Sequence, residues 1–148
     1  MIDRKRKKKI NILLVEDNLA DIRLTEEVIN QSQIISNLNV VKDGVEAINF
    51  LKKVGKYSKM TRPDLILLDL NLPKKTGLEV LKEVKQDDHL KRIPIIVLTI
   101  SGAEEDLVKA YDLHANCLIS KPIDVKDFYR IMKIIEDFWF RVVRLPED

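Results

Sequence analysis

The chain has 148 residues, of which 45% are hydrophobic and 34% charged, with a formal net charge of +2. That length favours one domain with a real core, and the balance excludes wholesale disorder. Apolar runs are only a few residues long, so nothing spans a bilayer. "INILLVEDN" ends in acids where a secretory signal would place small residues, and a cytoplasmic location is expected.

In chain order, residues 1–9 read as a basic tail in which Arg4 to Lys9 carry six positive charges. Without them and Asp3 the rest holds 20 basic and 23 acidic residues. No basic patch in the body extends the tail, so it reads as a solvated end and nucleic acid is not an expected partner. Ile10 to Val15 is the first apolar run. Asn39 to Val41, Leu65 to Asp69, Ile95 to Thr99 and Cys117 to Ile119 follow as four more strands. Between them, Leu19–Gln31, Val45–Leu51, Gly77–Val84 and Ala103–Leu113 repeat apolar residues on a helical face. Asp124 is placed to cap a fifth, longer helix, and Lys52 to Pro63 reads as a surface loop on its Lys, Gly and Pro content. Helices alternating with strands imply right-handed crossovers and a mainly parallel sheet with helices on both faces.

In such an α/β sheet, functional groups gather where the strands end. The chain places Glu16 and Asp17 after strand one and Lys42 and Asp43 after strand two. Asp69 and Asn71 follow strand three, Thr99 and Ser101 strand four, and Ser120, Lys121 and Pro122 strand five. Asp69 directly follows four apolar residues with no cation beside it in sequence, and an unpaired carboxylate next to a core is costly. Three carboxylates meeting at one rim repel one another, and a hard cation such as Mg²⁺, held by a few carboxylates and keeping waters that a phosphoryl group can replace, compensates them. Cys117 stands alone, and His89 and His114 are isolated from each other and from acid clusters, so neither a disulfide nor a soft-metal site is expected. The four glycines form no phosphate-cradling loop, which argues against a nucleotide cofactor. What remains is a carboxylate, Asp69, that receives a phosphoryl group from another molecule and forms an acyl phosphate.

"VEDN", "LLDLNLP" followed by "TG", "VLT" and "SKP", in that order over residues 10 to about 137, together resemble the receiver domain of two-component response regulators. The resemblance implies a flavodoxin-like (CheY-like), doubly wound sheet of five parallel strands, order 2-1-3-4-5, with five helices. It implies phosphorylation of Asp69 by a sensor histidine kinase. Mg²⁺ would be held by Glu16, Asp17, Asp69 and the backbone carbonyl of Asn71. Thr99 would bond the phosphoryl oxygen, Lys121 would pair with Asp69 and then with the phosphate, and the Lys121–Pro122 bond would be cis. "DGVEAINFL", the loop after the second helix and "FWFRVV" most resemble single-domain regulators paired with bacteriophytochromes and related kinases. Leu118 stands where many receivers carry Tyr or Phe, and Ile100 is bulkier than the small residue usual after the threonine.

The expected organisation is therefore a tail at 1–9, a stand-alone receiver domain at 10–140 and a C-terminal extension at 141–148. Phe128, Met132 and Ile135 cover the sheet, while Ile131, Ile134, Phe138, Trp139, Phe140, Val142 and Val143 exceed what one face can bury. A homodimer through the fifth helix and the C-terminal segment is expected. So is chemistry confined to self-phosphorylation and self-dephosphorylation, with no turnover of a free substrate and no membrane insertion. Two alternatives stand beside this reading: an adaptor that works without phosphorylation, and a haloacid-dehalogenase-type phosphatase. The second fits less well, because the metal-binding acids here precede the nucleophile and Asn71 takes the place of an acid two residues after it.

Overall fold

The computed structural model describes residues 10–31, 36–100, 102–121 and 124–146. The basic tail, Ser101, Pro122 and with it the Lys121–Pro122 bond lie outside the described residues. Five strands run β1 (Ile10–Val15), β2 (Ser36–Val41), β3 (Leu65–Leu68), β4 (Ile95–Thr99) and β5 (Cys117–Ser120). They pair in parallel in the order β2-β1-β3-β4-β5. Five helices alternate with them: α1 (Leu19–Asn30), α2 (Gly44–Leu51), α3 (Gly77–Gln86), α4 (Glu104–Asp112) and α5 (Val125–Glu136). The flavodoxin-like arrangement implied by the motifs is the one observed.

The apolar runs are continuous because both faces of the sheet are covered. Leu13 and Val15, Ile66 and Leu68, and Ile95 and Val97 point to one layer, where they meet Ala47, Phe50, Val80, Leu81, Val84 and Ala110 of α2, α3 and α4. Ile12 and Leu14, Leu65 and Leu67, and Ile96 and Leu98 point to the other, against Ile22 and Val28 of α1 and Phe128, Met132 and Ile135 of α5. Period-two alternation is present in direction while absent in polarity.

Local signals set the helix ends. Asn18 caps α1 through its side chain, Asp124 caps α5, and Thr76 with Glu79 forms a capping box on α3. α4 is held least: its N-cap is Ala103 with no side-chain bond, and only Ala110 of its residues is buried. The Lys52–Pro63 stretch is more than a surface loop. It contains a 3-10 turn over Gly55–Tyr57, and the Tyr57 ring packs on Phe50 at 5.3 Å while its hydroxyl donates to Glu46 at 2.6 Å. Its polar composition hid that one aromatic anchor. β2 also begins at Ser36, before its expected start, because ladder bonds to β1 extend through polar residues of an edge strand.

After α5 the chain continues as a π-helical segment, Asp137–Val142. Such segments are rare and replace the usual spacing with i→i+5 bonds, here Val143 N–H to Phe138 carbonyl at 2.9 Å. The wider turn brings Phe140 into the core and leaves Phe138 and Val142 half exposed or more, as Ile134 of α5 also is. Among the described residues, no helix is long and apolar enough to cross a membrane.

Candidate functional site

Ladder bonds that run one residue past the strands place the site. Asp69 N–H donates to the Val15 carbonyl at 3.0 Å, and Glu16 N–H donates to Val41 at 3.0 Å. Lys121 N–H donates to Thr99 at 2.7 Å. These bonds put the residues after β1, β3 and β5 and the last residue of β4 on the same rim, although they are up to 105 positions apart in sequence. Gly77 explains the "TG" pair: a Cβ there would come within 2.3 Å of the Asp69 carbonyl oxygen, so only glycine lets α3 start this close to the strand end.

Carboxylate oxygens of Glu16, Asp17 and Asp69 lie within 4.8 Å of one another, with Glu16 and Asp69 buried and Asp17 exposed. Asp17 does not cap α1, since Asn18 does. The Lys121 side chain, only 4% exposed, donates to Glu16, to Asp21 at 2.7 Å and to Asp69 at 3.4 Å. Asn71 is exposed, and its N–H donates to Asp69 Oδ1 at 3.3 Å. Thr99 is fully buried at the end of β4, and Ile100 beside it is 70% exposed. The sequence-predicted residues Glu16, Asp17, Asp69, Asn71, Thr99 and Lys121 therefore meet at one edge.

Asp43 does not join them; it caps α2 by accepting from Glu46 N–H and pairs with Lys74 at 3.6 Å. Asp21 does join, and sequence reasoning missed it. The available signal was its place in the first turn of a helix whose start lies at the rim. Leu118 is half-buried against the α2–α4 layer. Its N–H points off the edge of β5, because Lys121 N–H, three residues on, faces β4 and successive residues face opposite ways. There it donates to the Tyr111 hydroxyl of α4 at 3.2 Å.

Three carboxylates thus surround one ammonium, and a fourth, Asp17, lies beside two of them. Burial pushes the Glu16 carboxyl up to about 7 from 4.5, against the bond from Lys121 and helped by neighbouring Asp69. Burial pulls Lys121 down, yet its bonds to Asp21 and Glu16 win and hold it above its ordinary value, so it stays charged. An all-oxygen donor set with negative charge in excess fits a hard divalent cation, which Glu16, Asp17 and Asp69 are placed to hold. Burial likewise raises the half-buried thiol of Cys117, which leaves it a poor nucleophile.

The response regulator receiver domain family matches residues 12–133. This chain belongs to that family. It is 50% identical over 135 residues to the response regulator Rcp1 of Synechocystis sp., covering 91% of this chain and 92% of that protein. The crystal structure of the phosphorylated cyanobacterial phytochrome response regulator RcpA is 48% identical, covers 95% of this chain and 100% of its own, and has a TM-score of 0.93. The Mn²⁺-bound form of Rcp1 is 49% identical, covers 93% and 99% respectively, and has a TM-score of 0.91.

The raised Glu16 carboxyl fixes a pH response in protein free of divalent metal. Its proton is bound more tightly in the folded chain, so its stabilising contribution is present below pH 4.5 and lost as pH rises through about 7. The ¹³C signal of that carboxyl should titrate near 7, and lower in Asp69→Asn, because Asp69 contributes to the rise. A midpoint at the ordinary 4.5 in the wild type would contradict this account of the cluster.

Proposed function

We propose that the chain is a single-domain response regulator of a two-component phosphorelay. A sensor histidine kinase, of the phytochrome-like kind, passes a phosphoryl group to Asp69 with Mg²⁺ as the metal. The observation that carries this reading is the meeting of Glu16, Asp17 and Asp69 within 4.8 Å beside the buried ammonium of Lys121. Relatives described as a phosphorylated form and as a Mn²⁺-bound form support it, and so does the absence of a comparable cluster elsewhere among the described residues.

Each side chain has a part. Asp69 offers a carboxylate oxygen on a rigid strand end, and Asn71 N–H fixes the orientation of that carboxylate. Glu16, Asp17 and Asp69 would hold Mg²⁺ together with the Asn71 carbonyl. Bound there, the metal would neutralise charge on the transferring oxygens. Lys121 supplies a charge-assisted hydrogen bond to the new phosphoryl group, and the Thr99 hydroxyl supplies a further one. The chemistry ends with Asp69 itself: the protein phosphorylates and dephosphorylates its own side chain and turns over no free substrate. Its place of action is the cytoplasm.

The output is a shift of population. Phosphoryl contacts to Thr99 and Lys121 favour a second arrangement of the β4–α4 loop and α4, by as much as those contacts differ between the two arrangements. α4 suits this role because it buries one residue and carries no side-chain cap. The altered surface spans α4, β5 and α5. A second copy of the chain covers the exposed row Ile134, Phe138 and Val142, which is 55%, 50% and 58% exposed.

Incubation with acetyl phosphate and Mg²⁺ tests the acceptor. Wild type should take up base-labile phosphate and Asp69→Asn none; normal uptake by the variant would place the acceptor elsewhere. Sedimentation velocity tests the assembly. Wild type should sediment at twice the 17.2 kDa chain mass and Phe138→Glu as a monomer, whereas a monomeric wild type would remove the dimer.

A further inference from the structure

An ammonium has three N–H donors, and in Lys121 all three are directed at carboxylates. Two of the acceptors, Glu16 and Asp69, belong to the metal-binding group, while the third, Asp21, lies outside it. Asp21 nevertheless takes the ammonium at 2.7 Å, whereas Asp69 is 3.4 Å away. Its position is imposed by the start of α1. Asp21 N–H donates to the Asn18 cap at 3.1 Å, and its carbonyl accepts from the Thr25 hydroxyl at 2.8 Å. The Asp21 side chain is 21% exposed, well above the 3% of Glu16 and the 7% of Asp69.

Without this partner, the ammonium would close on Asp69 to the distance of an ordinary charge-assisted bond, about 2.8 Å. That contact would occupy a lone pair of the nucleophile and lower its reactivity. We propose that Asp21 is a positioning residue: it holds Lys121 back from Asp69, so that the ammonium's bond to the acceptor oxygen stays long and weak, and keeps the ammonium within reach of the phosphoryl oxygens that arrive. In the transfer, an Asp69 lone pair forms the new O–P bond. The donor's bond to phosphorus breaks, and its electron pair leaves with the donor. Asp21 forms no bond to the reacting atoms and acts through Lys121. This role rests on Asp69 being the acceptor.

The test is a double-mutant cycle on the full chain, with acetyl phosphate as donor and Mg²⁺ at saturation. Asp21→Asn keeps the shape and removes the charge, and its phosphorylation rate should fall about tenfold. In a Lys121→Gln background the same substitution should change the rate by less than about twofold, because the group it positions is gone. The Lys121 ammonium ¹H–¹⁵N signal should also move in Asp21→Asn. An unchanged or faster rate in Asp21→Asn, an equal loss in both backgrounds, or an unmoved ammonium signal would overturn the proposal. Wild type and Asp69→Asn run beside these variants. If those two behave as expected and Asp21→Asn is silent, only the positioning role fails; if Asp69→Asn is still phosphorylated, the acceptor reading fails first.

Discussion

The Lys121 ammonium, buried against Glu16, Asp21 and Asp69, is the interaction on which the rest of the molecule depends. It is reached from the last strand, while its partners come from the first and third strands and the first helix. It forms only if the whole sheet is in register. It also fails to neutralise what surrounds it, because Asp17 adds a fourth carboxylate to the same rim. The residual negative charge makes the site a place for a hard cation and for chemistry that a cation assists.

The fold serves this arrangement by burying both faces of the central strands. β1, β3 and β4 are almost wholly apolar and inaccessible, so their ends are as rigid as the core itself. Rigidity ends at β4. Beyond its last residue, Thr99, lie exposed Ile100 and the lightly held α4, whose Tyr111 hydroxyl receives the outward N–H of Leu118 on the edge strand. A tightly fixed site sits beside a weakly fixed helix. A change at Asp69 therefore has a neighbouring element able to answer it, which suits the population shift proposed for this receiver.

Much of this was legible in the sequence. The apolar runs of β1, β3 and β4 have no other stable use than a doubly covered sheet, and an acid after such a run demands a partner. That reasoning, narrowed by the resemblance to receiver domains, reached Glu16, Asp17, Asp69, Asn71, Thr99 and Lys121, which the structure brings to one edge. It did not reach Asp21, whose carboxylate enters the site only through the direction of the first turn of α1, a property of three dimensions and not of spacing. Asp43 shows the converse: it too follows a strand, yet it is consumed as the cap of α2. Tyr57 was hidden by polar neighbours. The surplus of apolar residues after α5 was visible, but its division between buried Phe140 and exposed Phe138 follows from π-helical spacing, which no simple period anticipates.

The central claim is that acids from separate strand ends act as one metal-binding unit, and calorimetric titration with Mg²⁺ measures that directly. The account predicts a single site per chain, lost on replacing the exposed Asp17 by Asn, a change that leaves the core untouched. Failure of the wild type to bind the ion, or binding undiminished in Asp17→Asn, would contradict it.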